Sequence, residues 1–209
     1  MAHTRQAWWQ ASQGDHAEAI RTYHEAIAIG RLVEDKRPIS SALNNLAELY
    51  RLNEEYEKAI PLHEEALAID REREDSTGIV LGLVNMSRNK LMLGILDQVR
   101  VQLAEAAQIA DETHLREYMQ YIIEATAVLR FILGEQLEGA RLFGAAAMEL
   151  RRKGNQPDPS DEKFTAHWTE KIRETVGEEA FSEAMAEGGK LSYEEAIAET
   201  REWLEEGQE

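Results

Sequence analysis

The sequence predicts an all-α fold, a solenoid of helix pairs closed by a C-terminal helical cap, and three observations carry that expectation. From Ala42 to Ile69, apolar residues recur three or four apart on one side of two successive helices: Leu43, Leu46, Ala47 and Tyr50, then Tyr56, Ala59, Ile60, Ala66 and Leu67. Neither helix alone can hide such a stripe, so the pair must pack on itself and on something like itself. The same pattern returns at a 40-residue shift: Ala59 maps to Ala19, Val99 and Gly139, His63 to Tyr23, Leu103 and Phe143, and Ala66 to Ala26, Ala106 and Ala146. Finally, the chain holds only four prolines and no alternation of β-branched and aromatic residues, so no sheet is expected.

Each column has a packing reason. Small side chains at Ala19, Ala59 and Gly139 let helices approach closely, and Tyr23 or Phe143 fills the space beside them. Glu54 aligns with Gly14, Gly94 and Gly134, and glycine there suits a turn of positive φ.

Taken in order, residues 4–13 read as a short first helix ended by Gly14. Asp15 caps a helix running to about Val33, and Asp35 with Pro38 opens the next. Trp8 and Trp9 either pack the open end of the solenoid or contact a partner. The second pair turns near Asn53–Glu55 and carries Pro61 early in its second helix, where it removes a bond to the Glu57 carbonyl. His63 stands in the aromatic column and reads as a packed histidine. The third pair begins near Ser76 and continues through Gly94 to Ala110. Arg100 interrupts the apolar column of Ile20 and Ile60, which predicts exposure there. The fourth, His114 to Lys153, holds the strongest apolar stretch, YIIEATAVLRFILG, and ends on Arg151, Arg152 and Lys153, cations suited to a helix C-terminus. GNQPDP, Gly154 to Pro159, breaks the register. Helices follow over 159–176, capped by Asp158, and over EEAFSEAMAE, ending at Gly188–Gly189. The last opens on a Ser192/Glu195 capping box. The expected organisation is 1–153 as four helix pairs and 154–209 as capping helices, within one structural domain.

Composition bounds the chemistry. The absence of cysteine excludes disulfides, thiol catalysis and Cys-ligated zinc, and fits a reducing compartment. No signal peptide and no apolar run approaching a membrane span is visible, so a cytoplasmic location and no membrane partner are expected. A net charge of −17 repels phosphate backbones, which argues against direct nucleic-acid binding. No nucleophile elbow, phosphate-cradling loop, His-Glu-x-x-His or calcium loop occurs. The Glu64–Glu65, Glu194–Glu195 and Glu205–Glu206 pairs fall on polar helix faces. The expectation is therefore no enzyme, no metal and no cofactor.

A small residue followed four positions on by an aromatic (Ala19–Tyr23, Gly139–Phe143), with a further small residue three beyond and a glycine before the second helix, resembles the tetratricopeptide repeat. That repeat's period is about 34 residues; here it is 40 with no closing proline, as in the long-repeat subclass of bacterial regulators. The C-terminal segments RLFGAA (141–146), GEEAF (177–181), AEG (186–188) and LSYEEA (191–196) are similar to the end of large LuxR-type and antibiotic-regulatory-protein-type activators. Those proteins place a signalling ATPase ahead of a tetratricopeptide array. Met185 stands where that ending often has Trp. The resemblance spans about residues 14–200.

The resemblance implies a right-handed solenoid whose first helices line a concave face. Carried through the register, the inward rows are Arg5, Asn45, Asn85, Ala125; Trp8, Glu48, Arg88, Val128; and Thr4, Asn44, Val84, Glu124. Asn and Arg there could bind the backbone or a carboxylate of an extended peptide. The alternative is that Asn45 and Asn85 bond neighbouring helices. With Tyr121, these residues form the candidate partner-binding set: Arg5, Trp8, Asn44, Asn45, Glu48, Asn85, Arg88, Tyr121, Glu124 and Val128. The partner would be a protein or peptide, with a dimer through the open N-terminal end as one further arrangement. A sensor that binds a small molecule or signalling peptide and shifts the solenoid's curvature is the alternative. A closed, aromatic-lined pocket near Tyr118, Tyr121 and Phe131 would favour it.

Overall fold

Helices separated by tight left-handed turns make up the computed structural model, which describes residues 6–7, 11, 14–153 and 158–206. Every regular element among them is helical, so the all-α helical-repeat class holds. The helices are α1 His16–Leu32, α2 Lys36–Leu52, α3 Tyr56–Glu72, α4 Ser76–Met92, α5 Val99–Glu112, α6 Met119–Ile132, α7 Gln136–Lys153, α8 Pro159–Val176, α9 Glu178–Gly188 and α10 Tyr193–Glu206. A 3₁₀ turn, Arg116–Tyr118, leads into α6. The short helix expected over 4–13 and most of the Gly154–Pro159 break lie outside the described residues.

The turns are more regular than the helices' sequences suggest. Gly14, Glu34, Glu54, Glu74, Gly94, His114 and Gly134 all have positive φ, at a spacing of 20 residues. Each from Glu34 onward follows a helix end. From Gly30 to Glu135 the residue after it donates its backbone N–H five positions back: Asp35 to Gly30, Glu55 to Tyr50, Asp75 to Asp70, Ile95 to Lys90, Leu115 to Ala110 and Glu135 to Arg130, at 2.8–3.1 Å. These are Schellman closures, which satisfy carbonyls that a helix end otherwise leaves open. The 40-residue repeat is thus two 20-residue halves, and glycine marks only turns before a second helix, at Gly14, Gly94 and Gly134, with Glu54 in its place in the second pair. The third pair departs from the spacing: α5 starts only at Val99, after Gln98 itself takes φ 60.

The chain divides into two compact units, Met1–Asn89 and Lys90–Glu209. In the first, Tyr23, Ile27, Ile39, Leu43, Leu46 and Leu49 form the core. Ala59 and Ala66 are fully buried. Small residues set the helix crossings. A Cβ on Gly30 would lie 2.6 Å from Ile39, and one on Gly78 would lie 2.4 Å from the Asp70 carboxylate. Asp70 is itself buried, accepts from the Ser40 hydroxyl at 2.6 Å and pairs with Arg73 at 3.0 Å. Its burial, outweighing those two contacts, raises its pKa. Asp15 and Asp35 cap α1 and α2 through Glu18 N and Arg37 N, as the sequence predicts.

In the second unit α6 is buried all round, which accounts for the apolar stretch seen in the sequence. Helix α9 lies directly on α7, because Gly144 meets the Met185 backbone and Gly188 meets the Arg141 carbonyl. Trp168 of α8 packs against Phe131 and Phe164 with ring centroids 6.2 and 6.4 Å away. Helix α10, opened by the expected Ser192/Glu195 capping box, is fastened by polar contacts. Tyr193 Oη donates to the Arg116 carbonyl at 2.6 Å, Arg201 pairs with Asp111 at 2.7 Å, and Glu199 joins Arg130 and Arg141. Arg100, expected to be exposed, is instead half-buried with its guanidinium over the Trp203 ring. Helix α10 brings an indole face to that point, on which the guanidinium stacks.

Candidate functional site

The polar face of α2 is held from behind. His63 of α3 has no exposed surface; its Nδ1 lies 3.2 Å from Asn44 Oδ1 and its Nε2 3.7 Å from Glu48 Oε1. Burial drives the imidazole pKa down to about 4, against the pull of Glu48 and with some help from Arg51. The ring is therefore neutral. Buried Arg51 donates through Nε and Nη2 to Glu48 Oε2 at 2.9 and 2.5 Å. The spacing Asn44, Glu48, Arg51 follows one helix face, so Arg51 fixes the Glu48 carboxylate while Asn44 meets the His63 ring. Asn44, Asn45 and Glu48 stay half-exposed.

The remaining candidates fall differently. On α4, Asn85 is half-exposed, while Arg88 is only 1% exposed and cannot itself reach a partner. On α6, Val128 is fully buried and Glu124 nearly so, with Glu124 Oε1 accepting from Thr165 Oγ1 at 2.5 Å. Tyr121 and Glu124 edge a small recess of about 180 Å³ with Leu150, Arg151 and Thr165. Phe131, expected to line an aromatic pocket, is covered by Trp168. Arg5, Thr4, Trp8 and Trp9 lie outside the described residues.

Sequence reasoning missed a recess of about 670 Å³ among α7, α8 and α9. Its signal was faint: Arg151, read as a helix-end cation, lines it. Among the described residues no group of His, Asp and Glu could hold a metal ion, and no helix is long and apolar enough to cross a membrane.

Two half-repeats closed by left-handed turns, with small residues at each crossing, are the geometry in which residues 7–72 match the tetratricopeptide repeat family model. Such repeats generally mediate protein–protein interaction, and the family typically provides scaffolds. The chain is also similar to proteins of Mycobacterium bovis and two strains of Mycobacterium tuberculosis that carry the name of HTH-type transcriptional regulators. Each is 40% identical over 89 residues, which is 42% of this chain and 10% of the relative. The matched stretch is thus about a tenth of the length of those proteins.

Proposed function

We propose that this tetratricopeptide chain is a non-catalytic binding module whose first-helix faces, centred on Asn45, Glu48 and Asn85, hold a peptide or helix from another protein of a bacterial regulatory system. The observation that carries the reading is the fixed Glu48 carboxylate. Arg51 holds it in one orientation before any partner arrives, so little side-chain entropy is lost on binding. Asn44 and Asn45 beside it offer amide donors and acceptors suited to an extended backbone. Asn85 repeats the Asn45 position one unit later. The acidic surface speeds encounter with a basic partner, and added salt weakens that contribution. The name shared by the mycobacterial relatives supplies the regulatory context.

The test is capture from the native cell by the chain and by its Asn45→Ala/Asn85→Ala variant, with circular dichroism as a folding control. Loss of the captured protein with unchanged helicity supports the reading. Capture that survives this change but is lost on replacing Trp8 and Trp9 moves the site to the N-terminal end. The sensor reading keeps one specific observation in its favour, the recess among α7, α8 and α9.

A further inference from the structure

We propose that the recess among α7, α8 and α9 binds a small amphipathic carboxylate, an aliphatic acid whose chain lies on the floor and whose head group meets the rim. This inference stands apart from the protein-binding reading, whose residues lie on α2 and α4.

The recess exists because its walls are spaced unequally. Glycine brings α9 against α7 with almost no gap: a Cβ on Gly188 would sit 1.7 Å from the Arg141 carbonyl oxygen, and one on Gly144 would sit 2.5 Å from that of Met185. Helix α8 follows a different neighbour. Its Phe164 and Trp168 turn toward Phe131 of α6, so α8 stands off from the α7–α9 plate and leaves about 670 Å³ between. Volumes of roughly 300–1,000 Å³ are those of small-molecule sites.

The lining has two chemistries. Phe143, Ala147, Met148, Phe181 and Met185 form an apolar floor. The two methionines are adaptable thioethers that can mould to an aliphatic chain without a fixed shape. Around this floor stand Arg151, Arg173 and Lys190, faced by the single acid Glu178. Glu178 is taken up by Arg173, whose Nε lies 3.2 Å from it and whose guanidinium sits 4.9 Å from the Phe181 ring centroid. Arg151 and Lys190 remain as exposed rim cations. A chain with 40 acids and 23 Lys and Arg thus concentrates three cations and one acid at this recess. That local excess selects an anion, and the floor selects one with an apolar body. Hydroxyls are already engaged: Thr169 Oγ1 donates to the Thr165 carbonyl at 2.7 Å, and Ser182 Oγ to Glu178 at 3.3 Å. Polyhydroxyl ligands therefore find few free partners here.

The test uses octanoate as probe and the neutral octanamide as its control, titrated into the full chain by calorimetry and by NMR of ¹³C-methyl methionine. Saturable one-site binding of octanoate is expected, with the Met148 and Met185 methyl signals moving and those of buried Met86 and Met119 staying still. Octanamide should bind about tenfold more weakly, and so should octanoate to the Arg151→Gln/Lys190→Gln variant. Both changed side chains are exposed, so the fold is retained, and capture of a protein through α2 and α4 is untouched. No saturable octanoate binding, equal binding of octanamide, or shifts that spare Met148 and Met185 would overturn the assignment.

Discussion

Arg100 and Trp203 are 103 residues apart in the chain, yet the Arg100 guanidinium lies 3.5 Å from the Trp203 ring centroid and its Nη1 donates to the Trp203 carbonyl at 3.2 Å. Arg130 approaches the same indole at 5.5 Å, and Trp203 Nε1 donates to Glu135 Oε1 at 2.9 Å. One aromatic on the last helix thus joins α5, α6 and the turn before α7. A buried indole with its N–H satisfied supplies large apolar area and a directed bond together.

Trp203→Ala should cost about 3–5 kcal/mol, the range for deleting a large buried aromatic. Arg100→Ala should cost less. The double variant should fall short of the sum by about 0.5–2 kcal/mol, the coupling of a desolvated cation and ring. Urea unfolding of the four proteins in this cycle measures it, and strict additivity would mean the stacking contributes nothing.

Gly188 and Gly94 should fail for different reasons. Gly94 has φ +70 and open space where a Cβ would go, so Gly94→Ala should cost only the left-handed penalty, about 1–2 kcal/mol, with every helix retained. Gly188→Ala drives a methyl into the Arg141 carbonyl and should lift α9 off α7. Hydrogen exchange separates them: faster exchange confined to α9 is expected for Gly188→Ala and not for Gly94→Ala.

The α2–α3 pair should weaken in acid. His63 has a folded pKa near 4 against an ordinary 6.5, so the unfolded chain takes the proton first. The stability tied to neutral His63 is present above 6.5 and is lost as pH falls toward 4. Buried Asp70 has a raised pKa and acts oppositely, its contribution falling as pH rises. His63→Phe isolates the histidine, because Phe143 and Tyr23 already fill that column. Melting temperatures between pH 7.5 and 4 should converge on those of the variant in slope only if another group carries the acid limb.

Ala59→Leu should overpack a fully buried crossing and cost about 1–3 kcal/mol. An unchanged melting temperature would place residue 59 outside the helix interface.

The helices of the first unit were legible because period and caps are local quantities. Leu43, Leu46 and Ala47 mark one face of α2 whatever surrounds it, and Asp15, Asp35 and Ser192 accept backbone N–H groups within three residues of themselves. The 40-residue register was legible for the same reason, since identical crossings demand identical small residues. The 20-residue half-register was not, because glutamate and histidine can enter the left-handed region that only glycine advertises. Tertiary structure decided the rest. It turned Arg100 from a defect in an apolar column into the seat of Trp203. It buried Arg88 and Val128, which the register alone had set on an open face. It opened a recess where α8 follows Phe131 away from α7 and α9. None of these could be read along the chain. Each depends on which distant helix arrives at a given face, and sequence periodicity fixes the face without fixing its neighbour.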